Sequence, residues 1–538
     1  MIQRSNKKGL ILLIPPVADP TMPMLGPYVL AGSLKQSNIP VQVYDISIAF
    51  FKNALDTDCI RQCGSLSGTS ADTIDSCLKM IQENMMIFDD KLRDMILAAQ
   101  ILTNIQKKIR FSTDDIQFPY SINSADQLKQ AVVDLEWVSP LFMRQPFWQS
   151  ISEDFIRYIG LSISYTSQLP SAFFIANLIR KFYPNKQIIL GGAYFESYEI
   201  SPVILLNNFL FIDKIIVGTG EKLLFDIIKD DNHDRRILYS DNSKYNFLPD
   251  FSGVQWDDYC AEKEMRVIPF SFRTRCYYGK CTFCSGDSQM PPYTFTQKRI
   301  QDIIRSLKQQ CGEYGITHVY FTDAALPPVL LMTIAEEIAG KFCWGINARI
   351  EKDMTSEFFK KLFANGCRML RIGMESASQT VLDRMNKGHH VEDYSAFLAS
   401  AYSAGIKLHV YIMYGFPGEE ESDRELTLVF LKKHLSKIYS YTISIFHAIP
   451  GTKIYNELIE AYHLESENLE MDINHYYYTE KKHQGLLQWV SRTDTVLDSL
   501  HSNRFCYGGR VFMGKPSLEQ NSINKTVLQN CNYVSDKE

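Results

Sequence analysis

Between residues 266 and 451 the chain repeats one unit, a short β-rich apolar run followed by a segment with helical spacing. The runs "RVIPFSF", "ITHVYFTD", "CWGINARI", "CRMLRIGME", "KLHVYIMYGF" and "YSYTISIFHAIPG" alternate with helical patterns such as "RIQDIIRSLKQQC" and "SEFFKKLFANG". About six such pairs predict an α/β partial barrel, a TIM-like (β/α)6 over residues 268–465, with its chemistry at the strand C-termini. Upstream, "GLILLIPP", "VQVYDIS", "YIGLSISY", "QIILGG" and "IDKIIVGTGE" also alternate with helical segments. They predict an open parallel, Rossmann-like sheet over residues 1–240 with helices on both faces. Residues 48–150 break its rhythm with helical patterns and read as an inserted helical lobe. Residues 241–267, rich in Asp, Pro and Gly, read as a linker, and residues 466–538, polar and weakly periodic, as a C-terminal cap and tail.

A chain of 538 residues can bury large cores, which excludes a small stapled scaffold. A net charge of -5 lacks the basic excess of a nucleic-acid binder, so no nucleic-acid partner is expected. The N-terminus has Arg4, Lys7 and Lys8 before an apolar run, as a signal peptide does, but Pro15 and Pro16 end the run early. No stretch is long enough for a transmembrane segment. Twelve cysteines, mostly scattered, fit a reducing compartment, and the expected location is cytoplasmic. Cys59 and Cys63 lie one helical turn apart without a third ligand nearby, and read as ordinary half-buried cysteines.

Three of the cysteines are not scattered. "RCYYGKCTFCS" places Cys276, Cys281 and Cys284 within nine positions. Arg273, Arg275 and Lys280 mark a loop rather than a core stripe and favour thiolates over thiols. Structural zinc wants four ligands, and no second Cys or His pair follows; His409 and His447 are isolated on strands. An iron-sulfur cluster suits soft thiolates better, and three cysteines would leave one iron open to a substrate or cofactor.

The loop resembles the cluster loop of the radical S-adenosylmethionine (SAM) superfamily, in which three cysteines hold a 4Fe-4S cluster and SAM chelates the fourth iron. The spacing here is C-x4-C-x2-C, one residue longer than the usual C-x3-C-x2-C, with Gly279 inside the longer interval. The resemblance continues through "FTDAAL", "NARI", "RIGMESASQTVLDRMNKGH", "MYGFPGEEESD" and "AIPGTKIYNEL". It implies Cys276, Cys281 and Cys284 as cluster ligands, with Phe283, Arg349, Glu375 and Ser376 at SAM.

The N-terminal region resembles the cobalamin-binding subgroup of that superfamily. "LIPP", "LSISYTSQ", "ILGGAYFES" and "VGTGEKLLFDII" are similar to its sheet, implying a cobalamin contact at Ser162, Gly191, Gly192, Gly218, Gly220 and Glu221. Glycines just after strands also allow a large flat ring to approach the backbone. No D-x-H-x-x-G motif marks a histidine cobalt ligand. The implied activity is C-methylation of an unactivated carbon through a 5'-deoxyadenosyl radical, needing an external electron donor. The substrate would be a peptide, a lipid or a small natural product. Rival readings are radical cyclisation, dehydrogenation or rearrangement without methyl transfer, a non-catalytic metal or cobalamin binder, and a zinc protein. Tyr277 and Tyr278 are expected to pack the loop. Trp489, "HYYY" and Cys506 fall in the expected cap.

Overall fold

The computed structural model describes residues 8–85, 91–113, 115–196, 200–230, 234–240, 248–259, 266–272, 276–284, 296–449, 451–461 and 480–500. Arg273, Arg275, "HYYY" and Cys506 lie outside the described residues. The chain forms two compact units that divide between Phe270 and Ser271.

The first unit is built on β1 (Gly9–Ile14), β2 (Val41–Asp45), β5 (Ile156–Ser162), β6 (Gln187–Gly191), β7 (Lys214–Val217) and β8 (Ile237–Tyr239). These strands run parallel in the order β2-β1-β5-β6-β7-β8. All six residues of β1 are buried, as a strand covered on both faces requires. Alternate side chains divide between two cores. Leu10 and Leu12 join Tyr158, Ile189 and Ile216 under the helices Leu25–Gln36 and Glu221–Lys229. Ile11 and Leu13 enter a larger core with Ile159, Leu161 and Leu190.

The helices of the insertion pack into that second core and share it with the sheet, Phe50, Leu102, Leu128 and Phe142 included. A short antiparallel hairpin, β3 (Arg110–Phe111) and β4 (Ile116–Gln117), interrupts the helices where the sequence reading had only helical signals. Cys59 and Cys63 are fully buried in this core, and burial pushes both thiols up, Cys59 to about 11. Part of the segment read as a linker docks on the first unit through aromatic anchors. Phe251 lies 5.0 Å from Tyr28, and the Tyr259 hydroxyl donates to Asp45 at 2.9 Å.

The second sheet takes β9 (Val267–Phe270), β10 (His318–Phe321), β11 (Cys343–Ala348), β12 (Cys367–Glu375), β13 (Lys407–Tyr414) and β14 (Ser440–Ile445) in strictly sequential order, β9 to β14. Strands β10 to β14 pair in parallel. Helices such as Gln297–Tyr314, Pro328–Ile338, Val391–Ser403 and Glu421–His434 connect them, which is the partial barrel the rhythm predicted. One polar layer crosses four of these strands in register, Asn347 beside Arg371, Arg371 beside His409 and His409 beside Ser440. Of the expected cap, helix Glu480–Leu500 is described; its Trp489 lies 6.4 Å from Tyr414 and 4.5 Å from the Arg492 guanidinium. No helix among the described residues is long and apolar enough to cross a membrane.

Candidate active site

The cysteine loop follows β9 and is fastened to the turns after the neighbouring strands. Tyr277 N–H donates to Ala325 O at 3.4 Å, and Thr282 N–H to Met385 O at 2.9 Å. The Asn386 amide donates to Lys280 O at 2.9 Å, and Ile454 N–H to Thr282 O at 3.0 Å. Four anchors on a short loop fix its backbone far better than local propensity can. Gly279 sits in the longer interval with φ +60, a left-handed conformation open to glycine at no steric cost, and so the extra residue is accommodated. Across C-x2-C the chain makes one tight turn, Cys284 N–H donating to Cys281 O at 3.3 Å.

Cys276 and Cys281 are half-buried and Cys284 is exposed. Burial pushes the Cys281 thiol up, opposed by the nearby Lys387 and Arg349 cations. Among the described residues no three His, Cys, Asp or Glu side chains converge on a point that could hold one metal ion. A cubane cluster presents separate irons, each taking one thiolate, so its ligands need not converge.

Beside the loop, β12 ends on Glu375. Its φ is +62, a strained value for a residue with a side chain, and its pairing with β13 slips between Gly373 and Glu375. The bulge turns Glu375 onto Lys387, whose ammonium lies 2.9 Å from the carboxylate, both side chains about nine-tenths buried. A Cβ on Gly373 would fall 2.4 Å from Glu375 Oε1 and 2.8 Å from Lys387 Nζ. The glycine of "GME" is thus the space in which the ion pair lies. Lys387 Nζ also stands 5.6 Å from the Phe283 ring, which meets Phe416 edge-on at 6.2 Å.

Arg349, 5% exposed, follows β11 and is surrounded. Its guanidinium stacks 3.7 Å from the Tyr278 ring, donates to Glu351 at 3.2 Å and to Lys387 O at 2.5 Å, and reaches Cys281 Sγ at 4.0 Å. Tyr277 donates to Glu351, and Tyr278 to Asn386 O at 2.8 Å, so both tyrosines pack the loop. Ser376 is fully buried and occupied internally. Its oxygen accepts from Ser378 N–H at 3.1 Å and lies 3.2 Å from the Thr427 hydroxyl, closing the turn into helix Gln379–Arg384. Nothing in the sequence reading singled out Lys387; its signal was a charge inside the "NKGH" run of a motif otherwise read for its glutamate.

In the first unit Ser162, Gly191 and Gly218 stand at or just beyond the ends of the adjacent strands β5, β6 and β7, Ser162 in register with Gly191. Ser162 borders the point between β1 and β5 where the sheet order reverses, the usual place for a ligand in such a sheet, and Gly191 and Gly218 stand one and two strands further on. Gly220 precedes helix Glu221–Lys229, and Glu221 is buried. Gly192 has φ +113, and a Cβ there would meet Ile163 O at 2.3 Å; Gly218 has φ +88, and its Cβ would meet Ser240 Oγ at 2.4 Å. Those two glycines are demanded by the chain's own backbone. Around Gly191 the nearest atoms would stand at 3.7 Å.

Residues 271–431 match the Radical SAM superfamily, a span that takes in the cysteine loop and the Glu375–Lys387 pair. That span of the chain is a radical SAM domain. The chain is 23% identical over 348 residues to an uncharacterized methyltransferase of Pyrococcus horikoshii, covering 60% of this chain and 72% of that one. It is also 23% identical over 360 residues to the bacteriochlorophyllide d C-12(1)-methyltransferase of Chlorobaculum tepidum, 64% of this chain and 75% of that one. In fold it is similar to the radical SAM methyltransferase TsrM of Kitasatospora setae, solved with cobalamin and a [4Fe-4S] cluster. The TM-score is 0.50 at 12% identity, over 85% of this chain and 78% of that one.

A radical SAM enzyme uses a 4Fe-4S cluster and SAM, and the residues present fit both. The donor set is three thiols on one anchored loop, the soft set such clusters take. Next to it lie a carboxylate, Glu375, and a cation, Lys387, of the charges that complement an amino acid's ammonium and carboxylate, with Phe283 as a flat apolar neighbour.

Proposed function

We propose that this radical SAM enzyme is a cobalamin-dependent methyltransferase acting on an unactivated carbon. The observation that carries the reading is the three-cysteine loop bound to the turn that holds Glu375 and Lys387, at the strand ends of a barrel. Support for methyl transfer comes from relatives named as methyltransferases, and for cobalamin from a fold shared with a cobalamin-containing protein over most of the chain.

In this reading Cys276, Cys281 and Cys284 ligate the cluster and leave one iron for SAM. Glu375 accepts the ammonium of the SAM amino acid, Lys387 offers a cation to its carboxylate, and Phe283 lies against the adenine. The rim of Ser162, Gly191, Gly192, Gly218, Gly220 and Glu221 receives cobalamin, its glycines keeping the surface low. When bound, the cluster and SAM supply a carbon radical and cobalamin supplies the methyl group. The chain's own contribution is alignment and exclusion of water, with Tyr320, Asn347 and Arg371 offering polar groups to the substrate from the barrel face. The reading includes a cytoplasmic setting and an external electron donor.

Anaerobic reconstitution with iron, sulfide and hydroxocobalamin tests it. Iron and cobalamin should both be retained, and reduction with SAM should release 5'-deoxyadenosine. With a methyl-labelled SAM, the label should pass to the product. A colourless protein that takes up zinc alone and cleaves no SAM overturns the reading; cleavage without label transfer overturns the methyl step only.

A further inference from the structure

Arg349 stands where the sequence resemblance expects a SAM contact, yet its surroundings point elsewhere. Every edge of the guanidinium that the structure accounts for is turned toward the cysteine loop or its supports. Nε donates to Glu351, Nη2 to the carbonyl of Lys387, and the flat face lies on Tyr278, three positions before Cys281. Nη1 lies 4.0 Å from Cys281 Sγ, within N–H···S range. The group is 5% exposed, so its charge is little screened by water or salt. The guanidinium is thus a planar cation with N–H donors beside that sulfur.

We infer that Arg349 is a positioning residue for the iron-sulfur cluster, donating an N–H to the Cys281 sulfur and raising the cluster's reduction potential, and that it does not bind SAM. The physical basis is charge balance. Reduction adds one electron from an external reductant to a group already carrying thiolate charge. A buried cation and an N–H donor at one thiolate stabilise the more negative state more than the less negative one. Hydrogen bonds to cluster sulfurs, net charge and burial are the established determinants of such potentials. Glu351 opposes the effect, since its carboxylate sits on the same guanidinium and offsets part of its charge.

The inference rests on the proposed ligation by Cys281, and the test keeps the two apart by measuring iron content, midpoint potential and SAM affinity on the same preparations. Wild type, Arg349→Gln, Arg349→Lys and Glu351→Gln are reconstituted and titrated anaerobically with dithionite under EPR. At the wild-type midpoint, Arg349→Gln should show about a tenfold lower ratio of reduced to oxidised cluster, which is about 59 mV for a one-electron couple. Arg349→Lys should fall between the two. Glu351→Gln should shift the opposite way, a reversal that a merely structural clamp would not give. SAM affinity of the oxidised protein should change by less than about threefold in all of them.

An unchanged potential in Arg349→Gln at full iron content overturns the inference and leaves the cluster reading standing. So does a large loss of SAM affinity at constant potential, which would return Arg349 to SAM. Should Arg349→Gln fail to load iron, Glu351→Gln decides: a positive shift supports the inference, and none overturns it. A wild-type protein that holds no cluster removes the proposed ligation and the inference together.

Discussion

Among the described residues β2 ends in a half-buried carboxylate, Asp45, and β12 in a buried one, Glu375, and the two are held in opposite ways. Asp45 ends β2 with backbone N–H groups of Ser47 and Ile48 and the Tyr259 hydroxyl as partners, capping helix Ile46–Asn53. Burial prevails there and pushes its carboxyl up to about 6. Glu375 ends β12 on a strained backbone, with a lysine ammonium 2.9 Å away in space left by Gly373. The first arrangement uses its carboxylate to finish a helix. The second keeps a charge pair where a zwitterionic ligand could take both partners, and strain of that kind concentrates at working sites.

The largest effect expected from breaking this contrast lies at the cysteine loop beside Glu375. Cys281→Ala should abolish cluster loading, read as iron and sulfide per chain after reconstitution, while Cys59→Ala in the helical insertion should leave loading at the wild-type level. Equal losses in both would show that the loop is not the ligand site.

Next comes the pair itself. Glu375→Gln leaves the Lys387 ammonium buried without its carboxylate and should cost about 3 kcal/mol, measured by urea unfolding of the full chain. SAM affinity should fall in parallel. Glu375→Gln combined with Lys387→Met removes both charges and should recover most of the stability and none of the binding. A double variant that binds SAM as wild type does would detach the pair from the ligand.

Asp45 gives the corresponding experiment in the first unit. Its folded value near 6 lies above its ordinary 3.8, so between these pH values the folded chain keeps a proton that the unfolded chain has lost. Its contribution is fully present below about pH 4 and is lost as pH rises through 6, amounting to about 3 kcal/mol for a two-unit shift. Asp45→Asn keeps an acceptor for the cap and should flatten the stability profile between pH 4 and 6. An unchanged slope would mean that Asp45 is ionised throughout.

The sequence made the two sheets legible because parallel strands covered on both faces read as unbroken apolar runs, as in "GLILLI" and "QIILG", and because helices separate them at regular intervals. The cysteine loop was legible from spacing alone. The insertion was visible as lost rhythm, but not its sharing of one core with Ile11 and Leu13, since helical periodicity reports an apolar face and not what covers it. The segment after residue 240 looked slack because Asp, Pro and Gly interrupt its apolar residues and leave no sustained period; three spaced aromatics, Phe251, Trp256 and Tyr259, are enough to dock it. Lys387 and the internal role of Ser376 depend on which turn faces which across the barrel, a matter of tertiary contact that a strand-by-strand reading does not contain.

The glycines carry the same lesson in a form that one pair of variants sharpens. At Gly192 the backbone is left-handed and a Cβ would strike the Ile163 carbonyl, so Gly192→Ala should lower stability by about 2 kcal/mol with or without cobalamin. At Gly191, one residue earlier, a Cβ has ordinary contact distances, and Gly191→Ala should change stability by less than about 0.5 kcal/mol. If the flat ring rests on the end of β6, that added methyl stands in its place, and cobalamin affinity should fall about tenfold at constant melting temperature. An affinity untouched by Gly191→Ala would mean that the glycines after β6 serve only the turn, and that the ring lies over β1 and β5, where the order of the sheet reverses.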